Sequence, residues 1–205
     1  MGYISGYNFT EMPPLVASIY AWPYEVFLID DLPTRHYLML HIAIMEDTNL
    51  IAGIFPFGVV EMMRALETRI EELAGHFDAG TFPDWLKLDD AERAFFERYR
   101  RDDKTIARRL RDAASKPRGE LVPAVWPNLE AVFCWVTSTA GLFIPELREH
   151  LGPDILIRDT IYSASEGWCS IPMGEEEPGG ALAITSHIYE FIEEDAYETV
   201  DGDIT

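Results

Sequence analysis

Positive charge is what this chain has least of. Against 36 Asp and Glu there are 16 Lys and Arg in 205 residues, a formal net charge of −20. Phosphate backbones and anionic bilayers repel such a surface, so neither nucleic acid nor a membrane is expected as a partner. No Lys or Arg at all follows Arg158. Cysteine is scarce as well. Cys134 and Cys169 are the whole complement, each in an apolar stretch. That excludes a disulfide framework and fits buried thiols in a reducing compartment. No apolar run is long enough for a bilayer, and the N-terminus has neither a basic start nor the short apolar run of an export signal. A cytoplasmic protein is the expectation.

What is present is globular. Hydrophobic residues make up 48% and aromatics 12%, enough for one sizeable core. EVFLID reads as a short strand bounded by Pro23 and Pro33. Thr34 is placed to cap a helix running to about Met45, apolar on nearly every side and therefore buried. NLIAGIFPF is a second extended candidate. From Val59 to His76 the spacing of Val59, Met63, Leu66, Ile70 and Leu73 predicts an amphipathic helix. The stretch LDDAERAFFERYRRDDKTIARRLRDAA is helical and charged, broken near Asp102-Asp103, and stops at SKPRG. Residues 87–118 hold 11 of the 16 basic residues. Seven acids are interleaved there, which favours a solvated helical pair over a nucleic-acid face.

The informative segment begins at residue 125. Leu129–Val136 reads as a continuous apolar strand, followed by the polar turn Thr137-Ser138-Thr139. LFIPELREHLG is a helix with Pro145 early and Gly152 at its end. DILIRDTIY is a second strand, and SASEG follows it. Strand, helix and strand over some 40 residues make a βαβ unit, so the two strands run parallel. Turns 137–139 and 163–167 then both fall at carboxyl ends of parallel strands, the edge where open α/β sheets bind ligands. GGALAITSHIYEFIEED supplies two more short extended pieces.

Three readings compete for the polar cluster after the second strand. Ser163–Gly167 is S-x-S-x-G, one residue from a nucleophile elbow. Its leading Gly is absent, GWCSIPMGEEEPGG does not read as a helix, and His187 is the one later histidine, with no acid partner in the expected context. In a purely structural reading the tyrosine packs and the Ser-Glu pair caps the next element. In a nucleotide site, the tyrosine ring covers a base, while a serine hydroxyl and a carboxylate serve phosphate oxygens and Mg²⁺. Thr137–Thr139 would line the ring's other side.

Tyr162-Ser163-Ala164-Ser165-Glu166 resembles the Y-x-x-x-E motif of adenylate-forming enzymes. It is similar to the tyrosine-alanine-serine-serine-glutamate version in the plant auxin-responsive Gretchen-Hagen-three family, the acyl-acid amido synthetases. IFPFGVVEMMRALETRIEELAGHFDAGT resembles that family's long helix, and VWPNLEAVFCWVTSTAGLFIPELREHLG its Trp-Pro strand, turn and helix. The resemblance implies an α/β fold, a mostly parallel sheet with flanking helices, forming an incomplete adenylate-forming N-terminal domain. One partial domain is expected over 1–205, with a strand and helices over 1–124 and the βαβ unit and later strands over 125–205.

The implied reaction uses ATP to convert a small carboxylic acid to an acyl adenylate, with release of pyrophosphate, and couples it to an amine or amino acid, with release of AMP. By the same resemblance, Tyr162 faces the adenine, with Ser163 and Ala164 beside it. Ser165 bonds phosphate, Glu166 serves Mg²⁺ and the chemistry, and Thr137 and Ser138 edge the nucleotide and acyl pocket. The family commonly has glycine where Ser138 stands. Two further family motifs find no match, a Ser/Thr/Gly phosphate loop and an Arg-Tyr-Arg segment. The chain is therefore expected to be inactive alone, or a non-catalytic nucleotide-binding or interaction remnant of the fold.

Overall fold

The computed structural model describes residues 11–164, 167–174 and 179–193. It divides into two units, 1–158 and 159–205. Secondary structure in the first is mixed α/β. A single helical turn, α1 (Pro14–Ala17), opens the described chain, and Tyr24–Leu28 follows as a 3₁₀ helix rather than the expected strand. The buried residues there are Val26 and Ile29, three apart, which suits three residues per turn and not the two-residue period of a strand.

Helix α2 (Leu32–Met45) is buried on most sides, as its composition predicts. Its cap is Asp31, not Thr34. The Asp31 carboxylate accepts from the backbone and hydroxyl of Thr34 at 3.1 and 2.9 Å, and Lys87 Nζ donates to it at 2.6 Å. Lys87 and then Thr34 hold the Asp31 carboxyl below its usual range.

Strand β1 (Leu50–Ala52) leads within a few residues into α3 (Pro56–Ala79), the longest helix. All five residues of the expected stripe are buried, from Val59 to Leu73, together with Val60, Met62, Ala74 and Phe77. The charged helical segment divides as expected. Helix α4 (Asp90–Phe96) opens on a capping box of Asp89 and Glu92, and α5 (Lys104–Ala114) is capped by Asp103. Helix α5 lies along α3, burying Ile106, Ala107, Leu110 and Ala113. Its basic neighbours bond to protein groups. Arg111 pairs with Asp78, Arg109 donates to the Ile44 carbonyl, and Arg118 grips Glu67 through two bonds. Helix α6 (Arg118–Val125) follows the expected stop at SKPRG, with Pro117 at its N-cap and Pro123 inside it. Burial of Leu121, Val122 and Val125 stabilises it despite the internal proline.

Strand β2 (Ala131–Phe133), helix α7 (Ile144–Leu151) and strand β3 (Leu156–Arg158) form the predicted βαβ unit. The sheet order is β1-β2-β3, all parallel, with Ala131 opposite both Leu50 and Leu156. Gly152 ends α7 at φ 71, and a Cβ there would lie 2.3 Å from the Gly119 carbonyl oxygen. Helices α6 and α7 thus meet where neither has a side chain. Charge joins α7 to α3. Arg64 holds Glu146 through two bonds of 2.8 Å. The buried His150 places Nδ1 2.9 Å from Glu67, close but not aligned as a hydrogen bond.

The second unit is antiparallel: β4 (Tyr162–Ala164), β5 (Gly167–Pro172) and β6 (Gly180–Leu182), in that order. The strand expected over 154–162 is therefore two. Regular pairing with β2 stops at Arg158, and Tyr162 opens a different sheet. Neither Cys134 nor Cys169 is in a disulfide. Among the described residues, no helix is long and apolar enough to cross a membrane.

The buried imidazole of His41 generates a testable consequence. It stacks on Phe77 at 4.2 Å and 3°, and its Nε2 lies 2.9 Å from the Tyr99 carbonyl oxygen, which makes the neutral ring the donor. Burial pushes it down to about 4, against the opposing effect of the Tyr99 bond. The unfolded chain therefore binds the proton more readily. Stability should be whole above pH 6.5 and fall by roughly 3 kcal/mol as pH drops toward 4. Urea midpoints across that window should show the loss, and His41→Phe should flatten it. A residual slope belongs to His36, which burial and then Arg35 also hold low. A slope unchanged in the variant would remove His41 as the cause.

Candidate functional site

Thr137 and Ser138 belong to the first unit. They stand where the sequence places them, at the carboxyl edge of the parallel sheet. Backbone bonds carry the sheet to its rim. Gly53 N donates to Phe133 O and Trp135 N to Ile54 O, both at 2.9 Å. Immediately beyond, Thr137, Ser138 and Thr139 are exposed. Thr137 is extended and precedes a 3₁₀ turn over Ser138–Phe143, which its hydroxyl does not cap.

Ser138 adopts φ 54, a left-handed conformation that costs an L-residue about 1–2 kcal/mol. Glycine takes it freely. The backbone at this position is thus one that a glycine would adopt without strain.

An apolar rim flanks the hydroxyls. Phe55 packs against Trp135 and Phe57 against Phe143, each pair at 5.3 Å between centroids. Phe55 and Phe57 remain half exposed and Leu142 more so. Sequence reasoning placed the Thr137–Thr139 turn at this edge without naming the aromatic residues beside it. The signal was available, since IFPF directly follows β1 and GLF directly follows the Thr137–Thr139 turn.

Tyr162, Ser163 and Ala164 belong to the second unit. They form the first strand of a hairpin in which Ser163 faces Trp168 and Ala164 faces Gly167. Tyr162 is 66% exposed. Ser165 and Glu166, which stand between Ala164 and Gly167 in sequence, lie outside the described residues. Gly167 begins a strand, not the helix that a nucleophile elbow requires. Among the described residues no three His, Cys, Asp or Glu gather as a metal site.

A sequence profile of the GH3 family N-terminal domain matches residues 1–156. The chain belongs to the GH3 family. That span takes in nearly the whole first unit, from the helical region through the βαβ crossover. Among solved structures, a GH3.15 acyl acid amido synthetase is 18% identical, with a TM-score of 0.66 over 74% of this chain and 28% of its own. A second, an AtGH3.15 acyl acid amido synthetase in complex with 2,4-DB, is 19% identical, with a TM-score of 0.61 over 69% of this chain and 25% of its own. At such identity the likeness is one of fold. This GH3 chain spans about a quarter of the length of those structures.

The Ser138 geometry gives the second prediction. Ser138→Gly should stabilise the chain by about 0.5–1 kcal/mol, the relief of left-handed strain less the greater freedom of glycine in the unfolded chain. Chemical denaturation measures it. Lower stability in the glycine variant would show that the serine side chain holds the turn.

Proposed function

We propose that the chain is a portion of an ATP-dependent acyl-acid amido synthetase, an incomplete adenylate-forming domain of the GH3 family. In the whole reaction a carboxylate oxygen attacks the α-phosphate of ATP, and pyrophosphate leaves. An amine or amino acid then displaces AMP from the acyl adenylate, losing a proton as the amide forms. The observation that carries this reading is the edge beyond β2, where exposed hydroxyls adjoin an aromatic rim in a GH3 chain. Hydroxyls suit phosphate and carboxylate oxygens, and aromatic walls suit the apolar body of an organic acid. Each unit offers groups that suit a nucleotide in kind: in the first, Thr137 and Ser138 are the proposed hydroxyl donors; in the second, Tyr162 is the proposed ring platform, with Ser163 and Ala164 beside it. Ser165 remains the proposed phosphate donor, and Glu166 the carboxylate for Mg²⁺. When bound, Mg²⁺ would supply charge neutralisation at the phosphates.

The substrate class is a small carboxylic acid. A complex with 2,4-DB is known for the structurally similar GH3.15 synthetase, which supports an organic acid as the ligand of this rim.

Charge argues that the 205-residue chain does not turn over by itself. The reaction brings a carboxylate against a triphosphate, yet the last 47 residues hold 12 acids and no Lys or Arg. Adenylation depends on stabilising phosphate charge, and the chain contains no Ser/Thr/Gly phosphate loop to do so. The purified chain, given ATP, Mg²⁺ and a panel of aryl and alkyl acids, should release no pyrophosphate above background. Acid-dependent release would disprove the inactivity.

Nucleotide titration checks the site. Mg²⁺-dependent ATP binding should be lost in Glu166→Ala, with the circular dichroism spectrum unchanged. Equal ATP binding by the variant would take Glu166 out of the site.

A further inference from the structure

The run LEAVFCWV around β2 is apolar at every position but Glu130, the pattern of a strand covered on both faces. Parallel sheets nearly always carry helices on both sides. Among the described residues, helices cover one side of this sheet. Side chains alternate along a strand, and Ile51, Val132 and Ile157 pack with the helices in the core. Leu50, Ala131 and Leu156, aligned across the three strands, point the other way and stand outside that core. Leu50 and Leu156 are 43% and 45% exposed, and Ala52 and Ile54 continue the exposed face along β1.

Acids border this face at the amino ends of the strands. Asp47 precedes β1, Glu130 precedes β2 and Asp154 precedes β3, and all three are exposed. Asn128 bonds to Asp47 at 2.7 Å, and Arg109 lies 3.8 Å from it. Arg158 stands at the opposite, carboxyl end of the face.

We infer that this face seats a partner polypeptide, which lays one amphipathic helix across β1, β2 and β3. Its Leu or Ile side chains meet the sheet, and Lys or Arg in its last turn meets Glu130 and Asp154. Three strands spaced about 4.8 Å apart span roughly 10 Å, and a helix with its side chains is about 10–12 Å across, so one helix covers the sheet. A helix antiparallel to the strands, the direction α7 takes in the crossover, brings its carboxyl end to the acids. Basic side chains there also complement the helix dipole. A second copy of this chain fits less well, because it would bring another charge of −20 against the first.

The experiment titrates two labelled synthetic peptides of about 15 residues, long enough to form a helix, into the full chain and reads fluorescence anisotropy. Both carry leucine at every third and fourth position. One has lysine in its last turn and the other glutamate. The lysine peptide should bind, and the glutamate peptide tenfold or more weakly. Leu50→Ser together with Leu156→Ser should weaken the lysine peptide at least tenfold. Both side chains are half exposed, so the urea midpoint should hold. Glu130→Gln together with Asp154→Asn should bring the two peptides within threefold of each other. Undiminished binding by the serine variant puts the peptide elsewhere and overturns the inference. So does a wild-type chain that takes up neither peptide or does not distinguish them. A lysine preference that survives in the charge variant overturns it as well, whatever the stability of the serine variant. A wild-type chain that sediments as a dimer, and as a monomer after the serine changes, overturns it in favour of a second copy.

Discussion

Burial of one face of helix α3 is the constraint on which the first unit depends. Residues from Val59 to Phe77 place their apolar side chains in the core, and each such side chain contributes about 1.5–3 kcal/mol when fully removed from water. The helix follows β1 after a three-residue link, and α5 and α7 pack on it. Its position therefore sets where β1 ends and where the β2-α7-β3 crossover lies. Ion pairs refine that placement. Arg64 with Glu146, and Arg118 with Glu67, tie α7 and the start of α6 to α3 at its surface. Exposed pairs of this kind add little stability, but they link three helices that hydrophobic burial has already brought together. The Thr137–Phe143 turn leads directly into α7, so the edge that carries the candidate hydroxyls inherits its geometry from the core.

The same packing uses positive charge that a phosphate site would want. Lys87, Arg64, Arg109, Arg111 and Arg118 bond to carboxylates or backbone carbonyls of the first unit. At the edge beyond β2, the exposed side chains of Thr137 and Ser138 carry hydroxyls and no charge.

Much of the fold was legible along the chain, and the errors share a cause. Helical periodicity located α3, whose buried residues repeat every three or four positions, while an all-round apolar run marked α2 and the stop at SKPRG ended α5. Pro145 and Gly152 marked α7 through elementary backbone limits. Local pattern failed where a short segment could satisfy two periods or where distant partners outweighed it. EVFLID has the composition of a strand but buries residues three apart. The run from Asp154 to Tyr162 has no break in its pattern, but its sheet partners change between Arg158 and Tyr162. Of the candidate site, Thr137 and Ser138 stand at the expected sheet edge, while the aromatic rim beside them joins residues some 80 positions apart, a contact no local reading specifies.

By itself the sequence determined the helices, the parallel βαβ unit, the excess of acid and the likeness to an amido synthetase family, because each depends on spacing or composition within a short window. Tertiary structure alone decided that Ser138 is left-handed, that Phe55 meets Trp135, and that the imidazole of His187 fills the space Gly167 leaves. Those outcomes depend on which backbones approach closely once the core has closed, and a chain of residue types does not carry that distance information.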